Sequence, residues 1–165
     1  PRRPAGHDPL LTPELVELLA PQVHLAYQRI SEKTDNATGS PLALELWENL
    51  DDFTKASNRA AITGSAVTHA AAGLTWRRPT PDGGATLDEA LLEELGRLEH
   101  RRWAIHERRN GRGDHEWAKP WNEIKDVQHY DIAIMRHLPR ILTAANIELA
   151  TAPPDARVDI SPEAG

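Results

Sequence analysis

The chain of 165 residues carries one sparse pattern of large residues twice, and this repeat constrains the fold more than any local signal does. The second copy reads LEHRRW (Leu98–Trp103), then KPWNEI (Lys119–Ile124), then an Asp-led helix that ends near TAANIEL (Thr143–Leu149). The first copy reads PQVHLAY (Pro21–Tyr27), then LWENL (Leu46–Leu50), then ASNRAA (Ala56–Ala61) and a run to AAAGL (Ala70–Leu74). His24 matches His100, Tyr27 matches Trp103, Trp47 matches Trp121 and Leu50 matches Ile124. Asn58 matches Asp131 with one residue of slippage, and Gly73 matches Asn146. Identity between the copies is low, but the order and spacing agree. A repeat of this length implies two similar helical units packed together, each too small to be stable alone.

The local signals place the elements. Thr12 is a cap with Pro13 at the first helical position. The helix that follows covers LVELLAPQVHLAYQRISE, and Pro21 is expected to kink it or split it. Residues 35–41 read as a loop. A short turn near Trp47 leads to a helix opened by Asp52 or Thr54 and ended by Gly73. The breaker cluster RPTPDGGAT (78–86) separates the copies. Thr86, with Glu89 three residues later, has the pattern of a capping box for a helix that runs to about Asn110. A last helix is expected over roughly 126–145, with a kink at Pro139. Leu74–Arg77 and Ile147–Ala150 are candidates for one short strand pair. The expectation is an all-α chain of about four long helices in two pseudo-repeats. A flexible segment covers 1–11, the repeats cover 12–77 and 87–150 with a linker over 78–86, and a flexible tail covers 151–165. The opening PRRPAG, which lacks a Met, is expected to mark a piece of a larger protein whose other domains are missing here.

Composition narrows the chemistry. There is one Phe and there are two Tyr, so the five Trp supply much of the large apolar surface. No Cys is present, which removes disulfides, thiolate metal sites and a Cys nucleophile, and suits a cytoplasmic location. The net charge of -6, without a basic stripe, argues against nucleic acid as a partner. No apolar run approaches the ~20 residues a bilayer span needs, so this segment is expected to make no membrane contact. The eight His have no i, i+4 pair and no HExxH, no GxSxG is present, and no Gly-rich phosphate loop occurs. No cofactor is called for.

One helix face is unusual. Leu91, Leu95, Leu98 and Ile105 form the expected core stripe of the 87–110 helix. His100, Trp103 and Glu107 form a second stripe. Such a helix either packs on two sides or lines a groove, and the spacing leaves both open.

These residues resemble the ryanodine-receptor (RyR) domain, in particular its bacterial versions. The likeness rests on EHRRW (Glu99–Trp103), the basic stretch to Gly111, the Lys119-Pro120-Trp121…Ile124 turn and the Asp131-led helix. In the first copy it rests on Trp47…Leu50 and Ser57-Asn58-Arg59-Ala60, so the resemblance covers roughly residues 12–150. The family's Gly-Trp-x-Tyr-Gly is reduced here to Gly111 and Arg112. The loop after it lacks His-Pro, although His115 and Trp117 lie close. The resemblance implies a non-catalytic regulatory module that senses a small, nucleotide-derived ligand, such as a nucleotide or cyclic nucleotide, beside fused or partner domains. Aromatic faces would stack on a base, and cations would meet phosphate. The candidate site residues are Tyr27, Trp47 and Arg59 in the first copy. In the second they are His100, Trp103, Glu107, Arg108, Lys119 and Trp121. A protein–protein interaction module using the second stripe is the alternative. A metal-dependent hydrolase built on Glu99, His100 and Asp131 is a more distant one.

Overall fold

The computed structural model describes residues 10–33 and 45–153. The expected loop at 35–41, most of the N-terminal segment and most of the tail lie outside them. The described residues form four helices and one two-stranded antiparallel sheet. Helix α1 (Pro13–Lys33) is followed by a 3-10 turn at Trp47–Asn49, helix α2 (Asp52–Ala71) and strand β1 (Leu74–Arg77). Helix α3 (Glu89–Arg109), a 3-10 turn at Trp121–Glu123, helix α4 (Gln128–Thr143) and strand β2 (Glu148–Thr151) repeat that order. Helices α1 and α3 are both 21 residues long.

Caps set the helix starts. Thr12 Oγ1 accepts from Leu15 N at 3.2 Å, and Asp51 Oδ1 accepts from Thr54 N at 2.7 Å. The start of α3 differs from the sequence expectation. Asp88, not Thr86, is the cap, and its Oδ1 accepts from Leu91 N at 2.8 Å. A carboxylate beside the first free N–H groups also meets the positive end of the helix dipole, which a Thr hydroxyl does not. Pro21 does not split α1, which stays one helix, and Pro139 likewise sits inside α4. The helices end at equivalent left-handed residues, Gly73 (φ 80°) after α2 and Asn146 (φ 56°) after α4. Gly and Asn are the two residues that adopt this conformation most readily.

Helices pair within each half, α1 with α2 and α3 with α4, and across the halves, α1 with α4 and α2 with α3. The core between them holds Leu19, Val23 and Ile62 from the first half and Leu95, Ile134 and Leu142 from the second. On α3, Leu92, Leu95 and Leu98 are buried, while Leu91 and Ile105 flank them half-buried. The expected stripe is therefore centred one position away from Leu91. Strands β1 and β2 pair in register from Leu74↔Thr151 to Arg77↔Glu148 and join the halves at one end. Strand β2 runs to Thr151, one residue beyond the boundary the sequence places between repeat and tail. The segment between the halves is pinned to β2. Ala85 N donates to Leu149 O at 2.7 Å, and Arg77 Nε lies 2.9 Å from Glu148 Oε1.

Gly96 marks a close approach of α3 and α4. A Cβ there would lie 2.6 Å from Ile132 Cγ1 and 3.1 Å from the Ile132 backbone nitrogen. Gly96→Val should therefore lose about 1–3 kcal/mol to overpacking, read as a drop in urea midpoint. An unchanged midpoint would mean that the two helices are less closely packed.

Candidate functional site

The His–Trp pattern of the repeat is a latch between a helix and the loop after it. His24 on α1 and His100 on α3 are both buried, at 3% and 4% exposure. His24 Nε2 donates to Glu45 O at 2.7 Å, and His100 Nε2 donates to Lys119 O at 2.7 Å. A carbonyl can only accept, so each ring carries its proton on Nε2. Each accepting carbonyl belongs to the residue two before the Trp of its own half. That Trp packs on the same His, with ring centres 6.3 Å apart for His24–Trp47 and 5.8 Å for His100–Trp121.

The halves differ at the other ring nitrogen. His100 Nδ1 lies 3.2 Å from Asp131 Oδ2. The residue matching Asp131 is Asn58, which donates from Nδ2 to Thr54 O in its own helix at 2.9 Å. Burial pushes the Asp131 carboxyl up to about 6, against the pull of His100. Burial alone would lower His100, but its bonds to Asp131 and to the Lys119 carbonyl outweigh that and raise it. The two groups share a proton over the neutral-to-acid range, and their titrations are coupled.

Beside this pair is a buried ion pair. Glu99 is 1% exposed and grips Arg102 through two bonds, Nη2–Oε1 at 2.6 Å and Nε–Oε2 at 2.8 Å. The Arg102 stem crosses α2 at Gly64, where a Cβ would collide with Arg102 Cδ. Burial disfavours the charged guanidinium, but Glu99 more than offsets this and holds it protonated. Burial, then the carboxylates of Glu99 and Asp131, push the Tyr27 hydroxyl far above its usual range, so it stays neutral.

These groups border a half-open cavity of about 300 Å³ where the two halves meet. His24, Tyr27, Asn58 and Phe53 line it from the first half, and His100, Arg102, Trp103 and Asp131 from the second. The loop between α3 and α4 adds Arg112, His115 and Trp117, and α4 adds Tyr130. Trp117 stacks on Tyr130 at 5.8 Å, and His115 meets Trp103 edge-on at 5.3 Å. Arg112 Nε lies 2.9 Å from Glu107 Oε2, and its guanidinium sits 4.7 Å over the Phe53 ring.

The sequence-derived candidates divide among three places. Tyr27, His100 and Trp103 line the cavity. Arg108, Lys119 and Trp121 line a smaller groove of about 240 Å³ on the other side of His100. Trp47, Arg59 and Glu107 line neither. Arg59 is paired with Glu17 at 2.6 Å, and its guanidinium lies 6.0 Å from the Trp47 ring centre. Glu107 is buried behind Arg112. The site expected between the His100 stripe and the Lys119–Trp121 turn corresponds to the smaller groove. Among the cavity residues that sequence reasoning did not select are Phe53, Asn58, Arg102, Arg112, Tyr130 and the pair His115 and Trp117. For His115 and Trp117, a signal was present in their position within the loop between α3 and the Trp121 turn. For Asn58, the signal was its match to Asp131.

Among the described residues, no group of three His, Asp or Glu side chains is arranged to hold a metal ion. Glu99, a member of the conceivable hydrolase set, is committed to Arg102. Also among the described residues, no helix is long and apolar enough to cross a membrane. The chain matches no family model, no curated protein and no solved structure.

Two tests follow from these pairs. Arg102→Met would strand Glu99 as an unpaired buried charge and should lose about 3–5 kcal/mol. Adding Glu99→Leu should recover most of that, as read by denaturant melts of both variants. The second test is proton linkage. Asp131 and His100 both hold protons more tightly folded than unfolded, so their contribution to stability is present at acid pH and is lost as pH rises through about 6. The stability of the wild type relative to Asp131→Asn should therefore improve as pH falls from about 7 to 5. Parallel pH profiles for the two proteins would contradict the pairing.

Proposed function

We propose that this chain is a non-catalytic, RyR-like regulatory module of a larger protein, and that it senses a small, nucleotide-derived ligand. In this reading the two halves are degenerate copies of one unit, and the ligand binds in the aromatic cavity between them. The observation that carries the reading is the composition of that cavity. Five aromatic side chains, Tyr27, Phe53, Trp103, Trp117 and Tyr130, surround it together with two arginines and a buried amide. A concave site with apolar walls and a few fixed polar groups is the usual form of a small-molecule site, and about 300 Å³ is at the small end of that range. The exposed Arg112 supplies a cation for an anionic group, and the rings supply flat faces for a base. The equal order of elements in the two halves, with the same His-to-carbonyl bond in each, supports descent from one repeated unit.

A second reading, an interaction module, draws on a different surface. Leu18 and Leu25, two turns apart on α1, are 57% and 41% exposed, and Val67 on α2 is 50% exposed.

Trp103 and Trp117 are reporters built into the cavity. Titration with nucleotides and cyclic nucleotides should change tryptophan fluorescence and raise the melting temperature, by ~2.7 kcal/mol of stabilisation at one hundred times Kd. Trp103→Ala should abolish the binding. Lys119→Glu, at the separate groove, should leave it intact and change stability by no more than about 0.5 kcal/mol. Loss of binding in Lys119→Glu with retention in Trp103→Ala would move the site to the groove.

A further inference from the structure

The outer face of α1 is apolar at two places where the scaffold does not require it. Helices α1 and α3 align end to end when His24 is laid on His100. Leu18 and Leu25 on α1 then match Glu94 and Arg101 on α3, and all four are exposed. On α3 these positions carry charge, as a face that meets water does. On α1 they carry leucines that are 57% and 41% exposed. A single exposed leucine is ordinary, but two on one helix stripe, replaced by charges in the matching half, mark a surface that another body covers.

The charges bordering the leucines say what that body is. Glu14, Leu18, Gln22, Leu25 and Arg29 form one exposed stripe of α1 at helical spacing. The helix packs on α2 and α4 with its other faces. Glu14 stands at one end of the stripe. Arg29 stands at the other, in a group of cations: burial, then Lys33, Arg140 and Arg29, holds the His137 ring below its usual pKa. No ion pair among the described residues uses Glu14 or Arg29, whereas the nearby Glu17 is taken by Arg59. The stripe is thus negative at one end, apolar in the middle and positive at the other. Reversed end for end, it complements itself. Leu18 and Leu25 are centred on the point between Pro21 and Gln22, each ~5 Å from it along the axis at 1.5 Å per residue. Glu14 and Arg29 are centred on the same point, each ~11 Å away. One antiparallel register therefore sets Leu18 opposite Leu25 and Glu14 opposite Arg29 at once.

We propose that the outer face of α1 is a self-association surface, pairing antiparallel with α1 of a second copy about a two-fold axis between Pro21 and Gln22. In such a contact each pairing occurs twice, and the interface closes as a dimer. The inference is independent of the ligand reading, because Leu18 and Leu25 line neither the cavity nor the smaller groove. A contact confined to one helix pair falls in the small, transient class of interface.

Sedimentation equilibrium on the full chain tests this, at low salt and over a concentration series reaching the millimolar range. The wild type should fit a reversible monomer–dimer equilibrium that weakens as salt is added. Glu14→Arg and Arg29→Glu should each weaken it roughly 10-fold or more, because two pairs turn from attraction to repulsion together. An equimolar mixture of the two variants should dimerise again, since the wholly positive stripe of one then faces the wholly negative stripe of the other. If either charge variant fails to fold, Leu18→Gln decides, with loss of the dimer expected and its retention contrary to the proposal. A wild type that stays monomeric, assembly beyond a dimer, or charge variants that dimerise as well as the wild type would overturn the proposal. A mixture no stronger than its two components alone would do the same.

Discussion

A single hydrogen bond, made once in each half, sets the geometry on which the rest depends. A helix His donates from Nε2 to a loop carbonyl at 2.7 Å, and the Trp two residues further on packs against the same ring. The bond fixes the tautomer, orients the ring and pins the connection between the two helices of a half. The histidine is buried in both copies, so breaking the bond would leave a buried ring nitrogen short of a partner. The carbonyl belongs to Glu45 in one half and Lys119 in the other. The side chain at that position is free to vary, because only the backbone is used.

The latches leave the inner faces of the two halves to build the cavity. There the halves diverge, and the divergence gives the site its character. The second half places a carboxylate on the remaining nitrogen of its His, and burial makes that carboxylate hold its proton more firmly. The first half places an amide at the matching position, and the amide keeps one oxygen unpaired. Two equal scaffolds with unequal polar groups make one asymmetric pocket. Glu99 and Arg102 support it from α3, and Gly64 on α2 supplies the room for the Arg102 stem.

Much of the scaffold was legible in the sequence, because it is written in large residues at fixed spacing. The four helices, the strand pair and the end of α2 at Gly73 follow from periodicity, caps and the residues that tolerate positive φ, and the matched Asn146 shares the left-handed conformation of Gly73. The start of α3 was misplaced because Thr86 and Asp88 both carry capping groups, and only the geometry of the turn shows which one reaches Leu91 N. The site was harder to read. The repeated His and Trp residues draw attention, yet Trp47 and Trp121 back the latches, while the cavity is walled by residues of both halves and of the loop after α3. Arg102 and Trp103 are adjacent in sequence and meet the same cavity, which a single-helix wheel does not suggest. Trp117 reaches the cavity by stacking on Tyr130, a contact between a loop and a helix that no periodicity encodes. Arg59 looked like a phosphate ligand beside an aromatic, but the nearest charge, Glu17 on α1, claims it.

The most direct test of this architecture is the protonation of the two histidine rings. Long-range ¹H–¹⁵N correlation spectra of the ¹⁵N-labelled chain distinguish the two tautomers of each imidazole. At mildly alkaline pH, both His24 and His100 should carry their proton on Nε2, in hydrogen bonds that exchange slowly with solvent. A neutral ring protonated on Nδ1 in either residue, or one averaging freely between tautomers, would contradict the latch and the arrangement of the halves built upon it.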